Sequence, residues 1–552
     1  MKKDIFIERN LYSDIILKRI RDLKDGYRQN IAVIGDELIG KTSIIFNLLN
    51  KFYDSRYIIT YLESRPESLN SFAKRFIGVL LYNFLLNSGE KLEEKLDFLL
   101  KKSHKYIPKT AQKISSILHS LEKRKKNNIF TELLGLCEMI HQETGKFCVV
   151  IFDEFHNLEN IGIKDIYAEW AKLLLLQKNT MYIVISSLKF KTKAILSKEL
   201  SLLFGNFEIL TIEPFDINTC EYYLEQKLGM LNLNPAYKNF LVHFTGGYPF
   251  YLKIISDSLL NRGGLTQNSE LKLNGENLTG IIEDLLFDYS GILNQKFSNY
   301  IKKFLDSPNS QDYISILYLI ANGHNKLKDI CHILRKSKKE LTLRITQLVE
   351  LDAIIRSGNF LKINDRIFSF WLKFVYQEKI HSLTFDAKNQ KELFRDKIDN
   401  LIQEFITSAK KPIRERMSEI MHLFEDDTIQ IEKKKLKLTQ FREIKTLEFN
   451  TGNLKHGLIG RASGVIWIMG FKHDCLTEED ITSFSKECKK YRHKLQKKII
   501  ITLDEVEDNA RLRALEEKIW TWDINNINQI LDLFSKPRVI TSEINFPVNS
   551  NK

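Results

Sequence analysis

The stretch from Ile31 to Asn50, IAVIGDELIGKTSIIFNLLN, narrows the possible folds of this chain more than any other. The apolar run Ile31–Ile34 predicts a buried strand, and Ile44, Ile45, Leu48 and Leu49 fall on one face of a following helix. Between them lies Gly35-Asp36-Glu37-Leu38-Ile39-Gly40-Lys41-Thr42-Ser43, a glycine-bounded loop with the spacing G-x-x-x-x-G-K-T. Such a loop holds a polyphosphate with backbone amides, which side chains at the two glycines would obstruct. The positive end of the helix adds to the anion site. Lys41 is placed to reach the β- and γ-phosphates, and the Thr42 hydroxyl to ligate Mg²⁺. A turn that binds nothing would not require Lys and Thr at these two positions. The expected ligands are ATP and Mg²⁺.

A second chemical signal is Phe147–Phe155, FCVVIFDEF, in which an apolar run ends in Asp153-Glu154. A run that is apolar throughout predicts a strand buried on both faces, as in a parallel sheet, whose C-terminal end is where ligands sit in open α/β folds. Asp153 is then the Mg²⁺-holding acid, and Glu154 the base that polarises the attacking water. Tyr57–Leu62 and Phe207–Ile212 predict further strands, and Met181–Ser187 (MYIVISS) another, ending in two hydroxyls. Ser186 or Ser187 is the candidate sensor of the γ-phosphate. Near the start, Arg9 either reaches the nucleotide pocket or caps a helix running to about Gly26.

At 552 residues the chain is too long for one core, and about three or four folding units are expected. The hydrophobic content of 43% is ordinary, and no apolar run approaches the ~20 residues that span a bilayer. The opening MKKDIFIERN has no apolar secretion signal, and the six cysteines lack zinc spacing. A cytoplasmic protein without a membrane partner is the expectation. The net charge of +13 fits a nucleic-acid partner, and fits equally a general Lys-, Asn- and Ile-rich bias.

After the fifth strand come Ile212-Glu213-Pro214-Phe215 and the turn Thr245-Gly246-Gly247-Tyr248-Pro249 between two helices. Taken in order with the glycine loop, the FDEF strand and the Ser-Ser strand end, these motifs resemble the archaeal-type ATPases of the STAND branch of AAA+-related proteins, over about residues 5–375. The resemblance implies an ATPase core with a helical lid, in which nucleotide state acts as a switch. One departure stands out. Many members carry an Arg after Leu-Phe-Gly just before the fifth strand, whereas here Leu203-Phe204-Gly205 is followed by Asn206. If that Arg is a finger, hydrolysis here is weak, or Lys189, Lys191 or Lys193 substitutes.

From Tyr313 to Tyr376 the pattern is three helices and then a small hairpin around Ser357-Gly358-Asn359, which together make a winged helix-turn-helix. Its third helix can enter a major groove, with Lys336, Lys338, Lys339, Arg344 and Arg356 facing phosphates of double-stranded DNA. The family carries such a module too, and uses it also for docking proteins. Residues 377–430 read as a charged helical connector. Beyond it, strands at Val465–Met469, Lys498–Leu503 and Ile519–Trp522, separated by helices, predict a small, partly parallel α/β domain. The segment from Ile499 to Leu531 resembles the distal half of restriction-endonuclease-like domains. Such nucleases need an Asp and a Glu-x-Lys on adjacent strand ends. Here the second motif reads Gly470-Phe471-Lys472, so the Glu is absent, with Asp474, Glu448 and Glu478 as the nearby acids.

The expected fold is therefore multidomain α/β: a P-loop parallel sheet with a helical lid, a winged helix-turn-helix and a C-terminal endonuclease-like domain. The expected boundaries are 1–212 for the ATPase domain, 213–300 for the lid, 301–380 for the winged helix, 381–430 for the connector and 431–552 for an inactive endonuclease-like domain. The expected function is an ATP-binding, ATP-hydrolysing switch that couples nucleotide state to DNA or a partner, either another protein or a second copy. The alternatives are an ATP-controlled signalling scaffold and an active ATP-regulated nuclease.

Overall fold

The computed structural model describes residues 5–90, 92–123, 128–200, 207–231, 233–265, 275–305, 310–377, 387–431, 434–449 and 454–540. They divide into two compact units, Met1–Pro214 with Glu350–Asp352, and Phe215–Val349 with Ala353–Lys552.

The first unit is built on five strands: β1 (Asn30–Gly35), β2 (Tyr57–Glu63), β3 (Phe147–Asp153), β4 (Thr180–Ser186) and β5 (Phe207–Ile212). All pairings are parallel, in the order β2-β3-β4-β1-β5. The three central strands are buried almost throughout, which is why their sequences are apolar at every position rather than at every second one. Alternate residues serve opposite faces. Cys148, Val150 and Phe152 join Tyr182 and Val184 in a core with Phe72 and Phe76 of the helix Leu69–Asn87 and Trp170 of the helix Ile166–Leu176. Phe152 and Trp170 meet edge-to-face at 5.6 Å. Each such ring, fully buried, contributes roughly 1.5–3 kcal/mol of transfer free energy. The sheet order sets β4 between the loop-bearing β1 and the acid-bearing β3. Because all three run the same way, the ends of β1, β3 and β4 lie along one sheet edge.

The second unit begins with helices Ile217–Leu228, Pro235–Thr245 and Pro249–Leu265. The turn at Gly246-Gly247 needs its glycines: both have positive φ, and a Cβ on Gly247 would run into the carbonyl of Phe215. Phe215 N–H in turn donates to Gly247 O at 2.9 Å, so the Glu-Pro-Phe and Gly-Gly-Tyr-Pro motifs are two halves of one backbone contact. Helices Gly275–Leu286 and Ile292–Leu305 follow, neither of them resolved as separate elements in the sequence reading. Three helices, Ser310–Ala321, Leu327–Leu334 and Lys338–Glu350, come next, then β6 (Ile354–Ser357) paired antiparallel with β7 (Phe360–Ile363).

The connector departs from the sequence reading. It holds helices Ala387–Ala409 and Ile413–His422, but it ends in a hairpin of β8 (Thr428–Ile431) and β9 (Lys434–Lys437). The C-terminal sheet has five strands in sequence order: β10 (Glu443–Glu448), β11 (His456–Ala462), β12 (Val465–Lys472), β13 (Leu495–Thr502) and β14 (Ile519–Trp522). The first three are antiparallel and the last two pairings parallel. Strands β8 to β11 escaped notice for physical reasons. Lys434–Lys437 and Glu443–Glu448 are mostly exposed and charged, and β11 carries Gly457 and Gly460, which weaken a strand signal. Gly460 is small because Met421 and Phe441 crowd its face. Trp467 and Met469 face a core with the helix Ile524–Leu533, while Ile468 and Ile500 face one with the helices Glu478–Cys488 and Asp508–Glu516. The helix Glu478–Cys488 ends where its apolar face gives out at Lys489-Lys490. Among the described residues no helix is long and apolar enough to cross a membrane.

Candidate active site

The loop between β1 and the helix Lys41–Lys51 turns as its residue types require. Gly40 has φ +96°, open only to glycine without strain, and Leu38 at the loop apex also has positive φ. Gly35 is required for another reason: a Cβ there would sit 2.8 Å from Ile212 O on neighbouring β5. Lys41 is buried, and its ammonium donates to the carbonyls of Gly35 at 3.0 Å and Asp36 at 2.8 Å. Burial lowers its pKa, against the opposing pull of Glu154, Asp153 and Asp36. Ile39 is buried, whereas Glu37 and Ser43 are exposed.

The acids of β3 arrive at this loop. Thr42 Oγ1 donates to Asp153 Oδ2 at 2.8 Å, across 111 residues of sequence. The same carboxylate oxygen accepts from the Tyr61 hydroxyl of β2 at 2.6 Å, and burial with this bond raises the Tyr61 pKa. Glu154, the next residue, has φ +45°. A non-glycine residue in the left-handed region is a strained position of the kind that clusters at functional sites. Its carboxylate accepts from Ser187 Oγ at 2.8 Å and Ser187 N at 3.2 Å. Burial pushes the Glu154 pKa up, and the Ser187 bonds only partly oppose it.

The two serines divide their work. Ser186 is the last residue of β4 and is fully buried; Ser187 lies just past the strand. Ser186 Oγ lies 2.9 Å from Nδ1 of His156, whose ring is also 3.4 Å from Glu154. Burial holds the His156 pKa near 4, so this imidazole is neutral at neutral pH and its contact with Glu154 is no ion pair. Tyr61 and His156 were missed in the sequence. The only signal for His156 was its place two residues after Glu154, and the partners of both residues depend on strand order.

Arg9 resolves toward the pocket: its guanidinium donates to Glu213 O at 2.6 Å and Ile39 O at 3.4 Å. Arg9 stands at the N-cap of the helix Asn10–Asp22, but its side chain makes no capping bond there. Of the three lysines weighed as substitutes for an arginine finger, Lys189 pairs with Asp36 of the loop at 2.6 Å and Lys191 pairs with Glu159. Lys193 is exposed. Asn206, with Leu203, Phe204 and Gly205, lies outside the described residues.

The five cations assigned to DNA are not equivalent. Lys336 pairs with Asp312 at 2.6 Å and Glu340 at 3.2 Å, and Arg344 lies against Asp312 at 3.8 Å and over the Tyr313 ring. Arg356 donates to Gly358 O at 3.2 Å. Lys338 and Lys339 are exposed at the start of the third helix. The hairpin of β6 and β7 is itself engaged, with Asn359 N donating to Thr428 O at 2.8 Å and Ser357 Oγ to Gln430 O at 3.0 Å.

In the C-terminal sheet Gly470 of β12 lies directly across from Gly457 of β11. The space beside them is filled by rings: a Cβ on Gly457 would meet Phe449 at 2.6 Å and one on Gly470 would meet Phe484 at 3.1 Å. These rings pack edge-to-face at 5.6 Å. Lys472 is paired with buried Asp480 at 3.1 Å, and Asp480 also caps the helix Glu478–Cys488 through Thr477. Among the described residues no group of three or more His, Cys, Asp or Glu side chains can hold a metal ion.

No protein-family model matches this chain, and no curated protein matches it. Among solved structures, a Walker-type ATPase of Pyrococcus abyssi is similar over 67% of this chain and 97% of its own, with 19% identity and a TM-score of 0.48. An Aeropyrum pernix ORC1 protein in complex with DNA matches over 67% of this chain and 93% of its own, at 12% identity and 0.35. The RuvB Holliday junction branch migration motor of Thermotoga maritima matches over 66% and 95%, at 10% and 0.32.

Proposed function

We propose that the chain binds ATP with Mg²⁺ in the Gly35–Ser43 loop, hydrolyses it to ADP and phosphate, and uses its nucleotide state as a switch. The observation that carries this reading is the bond between Thr42 Oγ1 and Asp153 Oδ2. It joins the loop hydroxyl to the acid at the end of a different strand, with Glu154 one residue further on. Mg²⁺ fits these donors, since it takes one or two protein oxygens and completes its shell with phosphates and water. Thr42 would hold it directly and Asp153 directly or through water; the bound ion neutralises charge on the β- and γ-phosphates.

The side chains then have separate tasks. Phosphate oxygens replace the Gly35 and Asp36 carbonyls as partners of Lys41, and the loop amides cradle the rest. Glu154 accepts a proton as water attacks the γ-phosphorus and the bond to the β-bridging oxygen breaks, leaving ADP. A carboxylate with a raised pKa is a better base for that proton than an ordinary one. Ser187 holds Glu154, and Ser186 with His156 supports it from below. Removing Lys41 takes away the loop's own cation, so Lys41→Ala should weaken ATP binding at least a hundredfold in a calorimetric titration. Unchanged affinity would end the assignment.

The domains proposed to act on this switch are a lid over 213–300, a winged helix over 301–380, a connector over 381–430 and an endonuclease-like domain over 431–552 without nuclease activity. The rings packed against Gly457 and Gly470 support that last point. Double-stranded DNA is the proposed partner through Lys338 and Lys339. A second reading, an ATP-controlled scaffold with little turnover that docks a protein or a second copy, is favoured by the bond that ties Glu154 to Ser187.

A further inference from the structure

The second unit contains a cavity of about 200 Å³ that plays no part in the function just described. It lies among the helix Pro235–Thr245, strand β7, the helix Arg366–Trp371 and the segment following the helix Ile524–Leu533. Four cations line it, Lys362, Arg366, Lys373 and Lys536, against two carboxylates, Asp532 and Glu404.

The charge is uneven where it is most buried. The Asp532 side chain is 2% exposed, and its two oxygens accept from Lys362, Arg366 and Arg538 together. These cations hold its pKa well below the carboxylate range. One negative charge thus serves three positive ones. The neighbouring His243 does not help, because burial keeps it uncharged while Arg366 and the Arg538 amide donate toward it. Burial also lowers the pKa of Lys362. A surplus of cations out of water is costly unless an anion offsets it. Lys373 and Lys536 add two more charges at the rim, both without a carboxylate partner among the described residues.

Part of the remaining wall is aromatic. Phe370 packs on Phe374 at 4.8 Å and edge-on to Phe244 at 5.3 Å, and Lys373 stands 5.0 Å over the Phe374 ring. Cations and rings together form the mixed lining of a small-molecule site.

We propose that this cavity is a second anion site, which takes a small phosphorylated molecule between Lys362, Arg366, Lys373 and Lys536 and ties the surrounding elements together. The phosphate sources are a free polyphosphate, held by charge alone, and a mononucleotide, whose base also uses the rings.

The test is calorimetric titration of the full-length Lys41→Ala chain, in low-chloride buffer, with inorganic pyrophosphate and separately with AMP. One binding event is expected with pyrophosphate. The rim pair Lys373→Met and Lys536→Met should weaken it at least tenfold while leaving the unfolding midpoint unchanged, and in the chain with Lys41 intact ATP turnover without added pyrophosphate should not move. AMP binding tighter than pyrophosphate identifies a nucleotide site; weaker or absent AMP binding beside pyrophosphate binding identifies a polyphosphate site. No binding of either probe, or binding indifferent to the rim substitutions, overturns the proposal. ATP binding by the Lys41-intact chain is a separate readout, so failure here does not bear on the active site.

Discussion

A carboxylate taken out of water holds its proton longer, and Glu154 is such a group. The acid limb of kcat against pH should therefore lie above the ordinary glutamate value of about 4.3. Ser187→Ala removes the hydroxyl bond that favours the charged form, leaving the backbone one, and should move that limb higher still; a limb at the ordinary value in both proteins contradicts Glu154 as the base. The same shift has a stability consequence. A raised folded pKa stabilises the protein below the unfolded value, and that contribution is lost as pH rises through the folded value. At neutral pH Glu154 is thus a charged burden, so Glu154→Gln should raise the melting temperature at pH 7 and lose this advantage below about pH 4. A lower midpoint at pH 7 would count against it. What could be read from the chain at this scale followed chemistry. Lys41, Thr42, Asp153 and Glu154 stand in patterns whose spacing is local, while Tyr61, His156 and Lys189 reach the site through strand neighbours and loop contacts that no local spacing encodes.

At the scale of elements, periodicity worked where burial was complete and failed where it was partial. The strands β1, β3 and β4 are apolar throughout, and the sequence reading found them to within a residue or so. Strands β8 to β11 are short, charged or glycine-bearing, and were absorbed into a helical connector or left unread. Two predictions belong here. Asp532 joins β7, the helix Arg366–Trp371 and Arg538, so Asp532→Asn leaves three cations without their carboxylate and should cost about 3–5 kcal/mol. Because its folded pKa is depressed, this contribution is present above the unfolded value of about 3.9 and disappears as pH falls through the folded one. Urea midpoints of wild type and variant at pH 7 and at pH 3 measure it, and equal midpoints at pH 7 would contradict it. The second concerns β11 and β12. With rings where two carboxylates are required, the chain should not cut plasmid DNA in Mg²⁺ or Mn²⁺, with or without ATP. Gly470→Glu should lower stability against Phe484 rather than create a nuclease, and cleavage that vanishes on Lys472→Ala would prove the domain active.

For the whole molecule the question is what the switch moves. The net charge of +13 and exposed Lys338 and Lys339 are what the polyanion reading has to draw on, while Lys336, Arg344 and Arg356 already have partners within the fold and the β6–β7 hairpin is held by β8. Duplex affinity should fall steeply with salt, and Lys338→Glu with Lys339→Glu should flatten the slope by roughly one unit per lost phosphate contact. Salt-independent binding, or none, favours the scaffold. The sequence was informative about the nucleotide because loop and acids are local motifs; the partner is harder to read because free and paired lysines look alike in a sequence. The central claim is that Glu154 turns over ATP held by Lys41 and Thr42. It is tested most directly by single-turnover phosphate release from the full chain loaded with ATP and Mg²⁺, beside Glu154→Gln. The account predicts that both proteins bind ATP with similar affinity, that wild type releases phosphate, and that the variant retains ATP with release slowed at least a hundredfold; equal release from the two would contradict it.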